Sequence, residues 1–408
     1  MNQDINQLIM EKAKEYESYV IQQRRHFHTY AEVTAKEFET SKYLKEEAAK
    51  LGLPIQELKG TGFIATLDTG RPGKTLAIRS DIDALPMDED SENLKGPKTC
   101  VSVNPGACHA CGHDAHMAIA LGTMKVLCDI REQLSGKILF AFEEGEEQGT
   151  GWPVMSEALI AHKIDAIYGN HVTAFMNAGT FCADEGPRMA GAIGIEVTVN
   201  GRSGHGSRPD LAVNPIVAAS QIVTQLNTAW STRLDVTKTV TLSVCMFQAG
   251  HMSNIIPDSA FLGGSCRYFD IEESHKAAAI IEQVAKGVAA VNECTVTFGK
   301  KQGIITTPVM NTPELAQLSQ KGIQEIMPKG SLVHDVKWFA SEPFSRYYDL
   351  FPCMFNFIGV RNEEKGCGAE HHNGKFDIDE DALQGGVAVT AKFAVDFLVS
   401  GKGEADDQ

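Results

Sequence analysis

The chain has no run of basic residues. Its 37 lysines and arginines are outnumbered by 53 aspartates and glutamates, for a formal net charge of −16 at pH 7. Such a surface disfavours a nucleic-acid backbone, so no nucleic-acid partner is expected. It leaves room for an anionic small molecule, because an arginine or a bound cation reverses the field inside a pocket. No segment approaches the unbroken apolar length of a membrane span, so no membrane partner is expected. The stretch from Met1 to Ser18 carries Asp4, Glu11, Lys12, Lys14 and Glu15 and lacks the apolar centre of a secretory leader; it reads as an exposed helix. Cysteine is sparse, ten scattered among 408 residues, which reads as free thiols in a reducing, cytoplasmic setting. Internal repeats are absent, and only the polar tail after Gly401 has the composition of a disordered segment.

What is present is an ordinary globular composition, 43% hydrophobic and 22% charged. At this length two domains are expected. Residues 8–52 read as helical. Thr75-Leu-Ala-Ile-Arg79 is a short apolar run that stops at Ser80-Asp-Ile-Asp83. Residues 115–129, with Ile119, Leu121, Met124 and Leu127, are apolar on most sides and predict a buried helix. Gly136-Lys-Ile-Leu-Phe-Ala-Phe142 is a second buried strand that runs into an acidic cluster, and Ala166-Ile-Tyr-Gly169 is a third, ending at Asn170-His171. Strands alternating with helices predict an α/β fold with a mostly parallel sheet covered on both faces. The site of such a sheet lies at the carboxyl ends of its strands.

The middle of the chain has a different pattern. Ile193, Ile195, Val197 and Val199 alternate as in a half-buried strand. Asn214-Pro215 opens a helix with a cap and a first-turn proline. Strands near 239–248 and 260–269, a helix over about 272–292 and Thr295-Val-Thr-Phe298 complete a β-α-β-β-α-β order, a split βαβ unit. We expect 1–187 and 303–408 to form a catalytic domain in two segments, with 188–302 inserted as a ferredoxin-like lid and dimerisation domain.

Three sets of residues carry chemistry. The densest is Cys108-His-Ala-Cys-Gly-His-Asp-Ala-His116. Cys111 and His113 are two apart, so in extended chain they share a face and suit a common metal. Gly112 allows a tight turn between them. Asp114 can accept from a ligand imidazole and fix its tautomer, while His109 and His116 are as readily structural as functional. The second set is Phe142-Glu-Glu-Gly-Glu-Glu147, directly after a buried strand. Adjacent side chains point to opposite sides, so one glutamate can bind metal while its neighbour serves as general base. Residue types alone leave open whether the pair is 143/144 or 146/147. The third set is His171, His205 in Gly204-His-Gly-Ser-Arg-Pro209, and His372 in Glu370-His-His-Asn-Gly-Lys-Phe376.

Two other readings use the same residues. Cys111 with His113 or His109 could be a nucleophile pair, and Cys108-His-Ala-Cys111 could be a redox C-x-x-C motif. Neither explains the glutamates or the distant histidines.

In order along the chain, Arg25-His-Phe-His28 with Glu32, Arg79-Ser-Asp-Ile-Asp-Ala-Leu-Pro86, His109-Ala-Cys-Gly-His-Asp114, Gly204-His205, Asn254-Ile-Ile-Pro257 and Ser341-Glu-Pro-Phe344 match one family. The sequence resembles the aminoacylase and carboxypeptidase G type of dinuclear metallopeptidases. It is most similar there to the amidohydrolase branch of hippurate hydrolases and auxin-conjugate hydrolases. The resemblance implies hydrolysis of an N-acyl amino acid by metal-activated water, with metallo-dipeptidase activity as the alternative.

It implies two divalent ions per subunit, Mn²⁺ or Zn²⁺, with Co²⁺ or Ni²⁺ as substitutes. Their ligands would be Cys111, bridging through its thiolate, His113, Glu147, His171 and His372. His372 is chosen over His371 because the family histidine stands four residues before an aromatic, here Phe376. Glu146 would be the general base. His205 would reach the active site of a dimer partner and stabilise the oxyanion, and Asn254 and Arg267 would hold the substrate carboxylate or the tetrahedral intermediate. The chain departs from the family at Pro343, at Tyr30-Ala31, at Asp210 and at the Glu-Glu-Gly before Glu146. These positions concern the substrate pocket and leave the implied ligands intact.

Overall fold

A computed structural model describes residues 2–400 of the chain; the tail after Gly401 lies outside the described residues. The chain divides into two compact units. The first comprises Met1–Gly186, Met310–Val336 and Arg346–Gln408, and the second Pro187–Val309 with Lys337–Ser345.

The first unit is built on a seven-stranded sheet. Its order is Ile55–Glu57, Phe63–Asp68, Lys137–Glu143, Thr75–Asp81, Ala166–Asn177, Cys353–Arg361 and Phe181–Cys182. The expected mostly parallel sheet is instead mixed. The four central strands pair in parallel, while both edges are antiparallel. Helical crossovers join Thr75–Asp81 to Lys137–Glu143 and Lys137–Glu143 to Ala166–Asn177, as parallel pairing requires, while the short link between Ile55–Glu57 and Phe63–Asp68 makes an antiparallel pair. The strands beginning near 75, 137 and 166 stand where the apolar runs place them. The third is longer than expected, because its parallel pairing with Cys353–Arg361 continues past His171. His171 therefore sits inside a strand rather than at its end.

The helical region expected over 8–52 is three helices, Asn2–Glu15, Glu17–Thr29 and Phe38–Lys50. The break spans Tyr30–Glu37, where the chain turns extended and Val33 bridges Ala84. The first helix is not merely exposed: Ile9 and Ala13 on its inner face are fully buried. The core lies between the sheet and the helices His113–Asp129 and Ala382–Val399, which are buried on nearly every side. Each fully buried leucine or phenylalanine there contributes about 1.5–3 kcal/mol. Ala382–Val399 also corrects the expectation about apolar runs. By length and composition it could cross a membrane, but 83% of it is buried inside this unit, as befits a core helix.

The second unit has the expected β-α-β-β-α-β order: Gly191–Asn200, Pro215–Arg233, Ser243–Ala249, Ser259–Tyr268, Ile271–Val291 and Thr295–Phe298. Its strands pair antiparallel. Asn214 caps the first helix by accepting from the Ile216 amide at 3.0 Å. Ile193, Ile195, Val197 and Val199 point inward at 1% exposure or less, as their alternation requires. The unit runs beyond 188–302, because Gly303–Thr306 adds a further strand beside Gly191–Asn200.

Candidate metal centre

Two tight turns at the ends of buried elements shape the centre in the first unit. Gly112 adopts φ 90°, and a side chain there would collide with Val172; the helix His113–Asp129 starts directly after it. Gly145 adopts φ 60° after the buried Lys137–Glu143 strand, turning Glu146 and Glu147 into a short 3₁₀ turn. Glycine reaches this left-handed region without steric cost. His372 adopts it too, at φ 59°, and its amide donates to the Ala110 carbonyl at 2.9 Å.

These elements bring the expected residues of the first unit together. Cys111 Sγ lies 3.6 Å from His171 Nε2. His113 Nε2 lies 3.6 Å from Glu146 Oε2 and 3.9 Å from Glu147 Oε1. Glu147 Oε1 is in turn 3.5 Å from His372 Nε2. Potential ligand atoms gather within 4.8 Å of one another in the sets Cys111–His113–His171, Cys111–Glu147–His372 and His113–Glu146–Glu147. A further set, Asp81–His113–His116, meets the same criterion.

Hydrogen bonding separates the histidines. His113 Nδ1 donates to the Asp83 carbonyl at 2.8 Å, and His171 Nδ1 donates to the Val172 carbonyl at 2.7 Å. Each thus turns its Nε2 lone pair toward the thiol and the glutamates. His116 has both nitrogens engaged: Nδ1 donates to Asp81 at 2.7 Å, and Nε2 accepts from the Val172 amide at 3.0 Å. It has no lone pair to offer and braces the strand that carries His171. His371 Nε2 likewise accepts from the Ala174 amide at 3.2 Å. That leaves His372, not His371, facing Glu147. His109 is buried but enters none of these sets.

The glutamates also sort themselves. Glu143 takes a 3.0 Å ion pair from Arg79 and the Tyr347 hydroxyl, and Glu144 accepts from the Thr61 amide and hydroxyl. Both are committed elsewhere, so the pair facing the histidines is 146/147. Asp83 stands behind that pair. Its Oδ1 accepts from the Glu146 amide at 3.0 Å, and its Oδ2 accepts from the Glu147 amide at 3.2 Å.

The electrostatics suit cations. Burial pulls the His171 imidazole well below its ordinary range, as does neighbouring His116, so it is neutral, as a ligand must be. His371 is pushed down to about 3 by burial. Burial pushes the Cys111 thiol well up against the opposing pull of His113, a shift that a coordinating cation would reverse. His113 is driven the other way: burial lowers it, but the Asp81 charge and its contact with Asp83 raise it further. Within the residue sets above, the buried atoms His113 Nε2 and Glu147 Oε1 have no hydrogen-bond partner. Buried polar atoms are seldom left so. With a thiol, imidazoles and carboxylates converging on them, the donor set fits divalent transition cations.

Residues 77–396 match peptidase family M20/M25/M40. The chain belongs to that family. It is 32% identical to thermostable carboxypeptidase 1 of Saccharolobus solfataricus, over 97% of this chain and 99% of the relative. It is 31% identical to IAA-amino acid hydrolase ILR1-like 4 of Arabidopsis thaliana, over 96% and 88%. The crystal structure of a dinuclear metal-binding peptidase of the M20 family from Bacillus subtilis superposes with a TM-score of 0.81, at 28% identity, over 95% of this chain and 99% of that one. This M20-family chain is a dinuclear metal-dependent hydrolase that uses metal-activated water on an amide or peptide bond.

The remaining expected residues belong to the second unit. His205 is exposed and pairs with Ile255 in a two-stranded ladder; its Nδ1 accepts from the Ser207 hydroxyl at 2.8 Å. Asn254 is held to the same hairpin by its carbonyl, which accepts from the Gly206 amide at 2.8 Å. Arg267 stands apart on the Ser259–Tyr268 strand, half-buried, with a guanidinium nitrogen 3.4 Å from the Cys266 carbonyl.

Residue typing alone gave Asp81 and Asp83 no role and left His116 evenly between a structural and a functional reading. The two aspartates stand in Ser80-Asp-Ile-Asp83 at the end of a buried strand, which was signal enough to mark them. His116 was visible only as a histidine one helical turn after His113.

Proposed function

We propose that this enzyme hydrolyses N-acyl amino acids, with Cys111, His113, Glu147, His171 and His372 holding the two cations and Glu146 as general base. The observation that carries this reading is the convergence of those five side chains beside Glu146, with each buried imidazole turned by its own hydrogen bond. A pair of divalent cations supplies Lewis acidity, polarising a carbonyl and making water more acidic. Glu146 is placed to take the proton from the attacking water and to deliver it to the leaving nitrogen. Asp83 fixes the backbone of Glu146 and Glu147, and Asp81 with His116 fixes the strand behind His171.

The relative named as an IAA-amino acid hydrolase supports an acylated amino acid as substrate. The relative named as a carboxypeptidase supports a peptide instead. Asn254 and Arg267 are assigned to the substrate carboxylate or the tetrahedral intermediate, and His205 to the oxyanion in a partner subunit. The second unit would then serve as lid and dimerisation domain. The Ser243–Ala249 edge strand, with Met246 and Phe247 each over 40% exposed, supports that role.

The test is Glu146→Gln together with a panel of N-acyl amino acids and dipeptides, assayed with added Mn²⁺ or Zn²⁺. The variant should keep its metal and lose nearly all turnover, and acylated amino acids should be cleaved faster than dipeptides. Wild-type turnover by Glu146→Gln would remove the assigned base. Preference for dipeptides would move the enzyme to the peptidase reading. A fully active monomer would remove the trans role of His205.

A further inference from the structure

Two side chains of the segment between the second and third helices, Thr34 and Glu37, bond toward the Gly145–Glu147 turn. The Thr34 hydroxyl, in a residue 7% exposed, donates to Asp83 Oδ2 at 2.6 Å. That same oxygen accepts from the Glu147 amide, and its partner oxygen accepts from the Glu146 amide. Glu37 is fully buried. Its Oε1 accepts from the Gly145 amide at 3.0 Å, and its Oε2 lies 3.1 Å from the Thr61 hydroxyl, which makes its shorter contact, 2.8 Å, with Glu144. The three successive amides 145, 146 and 147 are therefore all held by carboxylates. One of these is oriented by Thr34 and the other is supplied by Glu37.

The segment is itself constrained. The Ala84 amide donates to the Glu32 carbonyl at 2.8 Å, and the Lys36 amide donates to the Val33 carbonyl at 2.9 Å. Between Thr34 and Glu37, Ala35 adopts φ 63°, a conformation that costs an alanine free energy and persists only where its surroundings demand it.

We propose that Thr34 and Glu37 are positioning residues that fix the Gly145–Glu147 turn, and through it the carboxylates of Glu146 and Glu147. The inference rests on the ligand and base assignments above. Neither residue belongs to the potential ligand sets. Each acts through a hydrogen bond to a group that does the holding, the kind of outer support whose loss weakens metal affinity or activity by about 10–100-fold.

Two substitutions at one position separate the hydroxyl from the methyl. Thr34→Val keeps the shape and removes the donor, while Thr34→Ser keeps the donor and removes the methyl. Zn²⁺ affinity is read on full-length, metal-stripped protein by competition with a chromophoric chelator, alongside kcat and KM. Thr34→Val should bind Zn²⁺ about tenfold more weakly and lose kcat with KM little changed, and Thr34→Ser should restore both. Wild-type Zn²⁺ affinity and kcat in Thr34→Val would overturn the proposal. So would a Thr34→Ser variant as impaired as Thr34→Val, since packing would then be the cause. If Thr34→Val does not fold, Glu37→Leu, which leaves the Gly145 amide without its acceptor, decides by the same readouts. A loss of that size supports the proposal, and wild-type values overturn it. A wild-type protein that takes up no Zn²⁺ would instead overturn the parent assignment, and this one with it.

Discussion

Asp83→Asn is the substitution whose effect the geometry defines most closely. The Asp83 carboxylate accepts from three donors: the Glu146 amide at 3.0 Å, the Glu147 amide at 3.2 Å and the Thr34 hydroxyl at 2.6 Å. It lies against His113, whose contact holds it below the ordinary carboxylate range despite burial that would raise it. Asparagine is nearly the same size but has one acceptor oxygen and one NH₂ donor. With the NH₂ in the Oδ1 position, the Glu146 amide faces a donor. With it in the Oδ2 position, the Glu147 amide and the Thr34 hydroxyl do. Neither orientation satisfies all three. At least one hydrogen bond to a charged group is lost, worth about 1.5–3 kcal/mol. If that loss falls on the aligned turn, it corresponds to about a ten- to hundred-fold fall in kcat/KM. The assay is steady-state hydrolysis of an N-acyl amino acid by metal-replete protein, with thermal unfolding run in parallel to show that the variant is folded. A folded, metal-replete Asp83→Asn within twofold of wild type would refute the view that this carboxylate aligns Glu146 and Glu147.

With Cys111 as the proposed metal ligand, iodoacetamide should leave the Zn²⁺-loaded enzyme active; rapid inactivation that metal does not slow would favour the nucleophile reading. Glu89 is held down to about 2 by its contacts with His28 and Lys98, against burial that would raise it. A carboxyl with a depressed folded-state pKa stabilises the fold above its unfolded value of 4.5, and that stability is lost as pH falls toward 2. Glu89→Gln should therefore cost about 2 kcal/mol at pH 7 in denaturant unfolding, after allowance for screening, with the gap closing below pH 4; a gap independent of pH would contradict this. Met246→Lys combined with Phe247→Lys should weaken a dimer formed through the Ser243–Ala249 edge by about a hundred-fold, from the loss of two buried apolar side chains. Sedimentation of an unchanged dimer would place the interface elsewhere.

Much of the centre was legible because its chemistry is local. Cys111-Gly-His113 and Glu146-Glu147 each sit on one turn, and a glycine beside each marks the turn. Residue types could not choose between 143/144 and 146/147, because the choice depends on Arg79, Tyr347 and Thr61, which are distant in sequence. His371 and His372 were separable only through the family spacing to Phe376; residue types do not show that the Ala174 amide engages His371. The separate βαββαβ order was readable from alternation at Ile193–Val199 and the Asn214-Pro215 cap, both local signals. The mixed character of the main sheet was not, because strand direction is set by which distant strand lies alongside. Residue 35 marks a further limit. The break in the first helical region carries no proline or glycine, and the partners of Thr34 and Glu37 there, Asp83 and the Gly145 amide, are distant in sequence.

A metal titration of the stripped protein addresses the dinuclear claim without intermediaries. Aliquots of Zn²⁺ or Mn²⁺ are added to metal-free enzyme while hydrolysis of an N-acyl amino acid and bound metal are both followed. Activity should be absent at the start and should reach its plateau at two ions per chain. Full activity in the presence of a strong chelator, or a plateau reached with no metal bound, would contradict it.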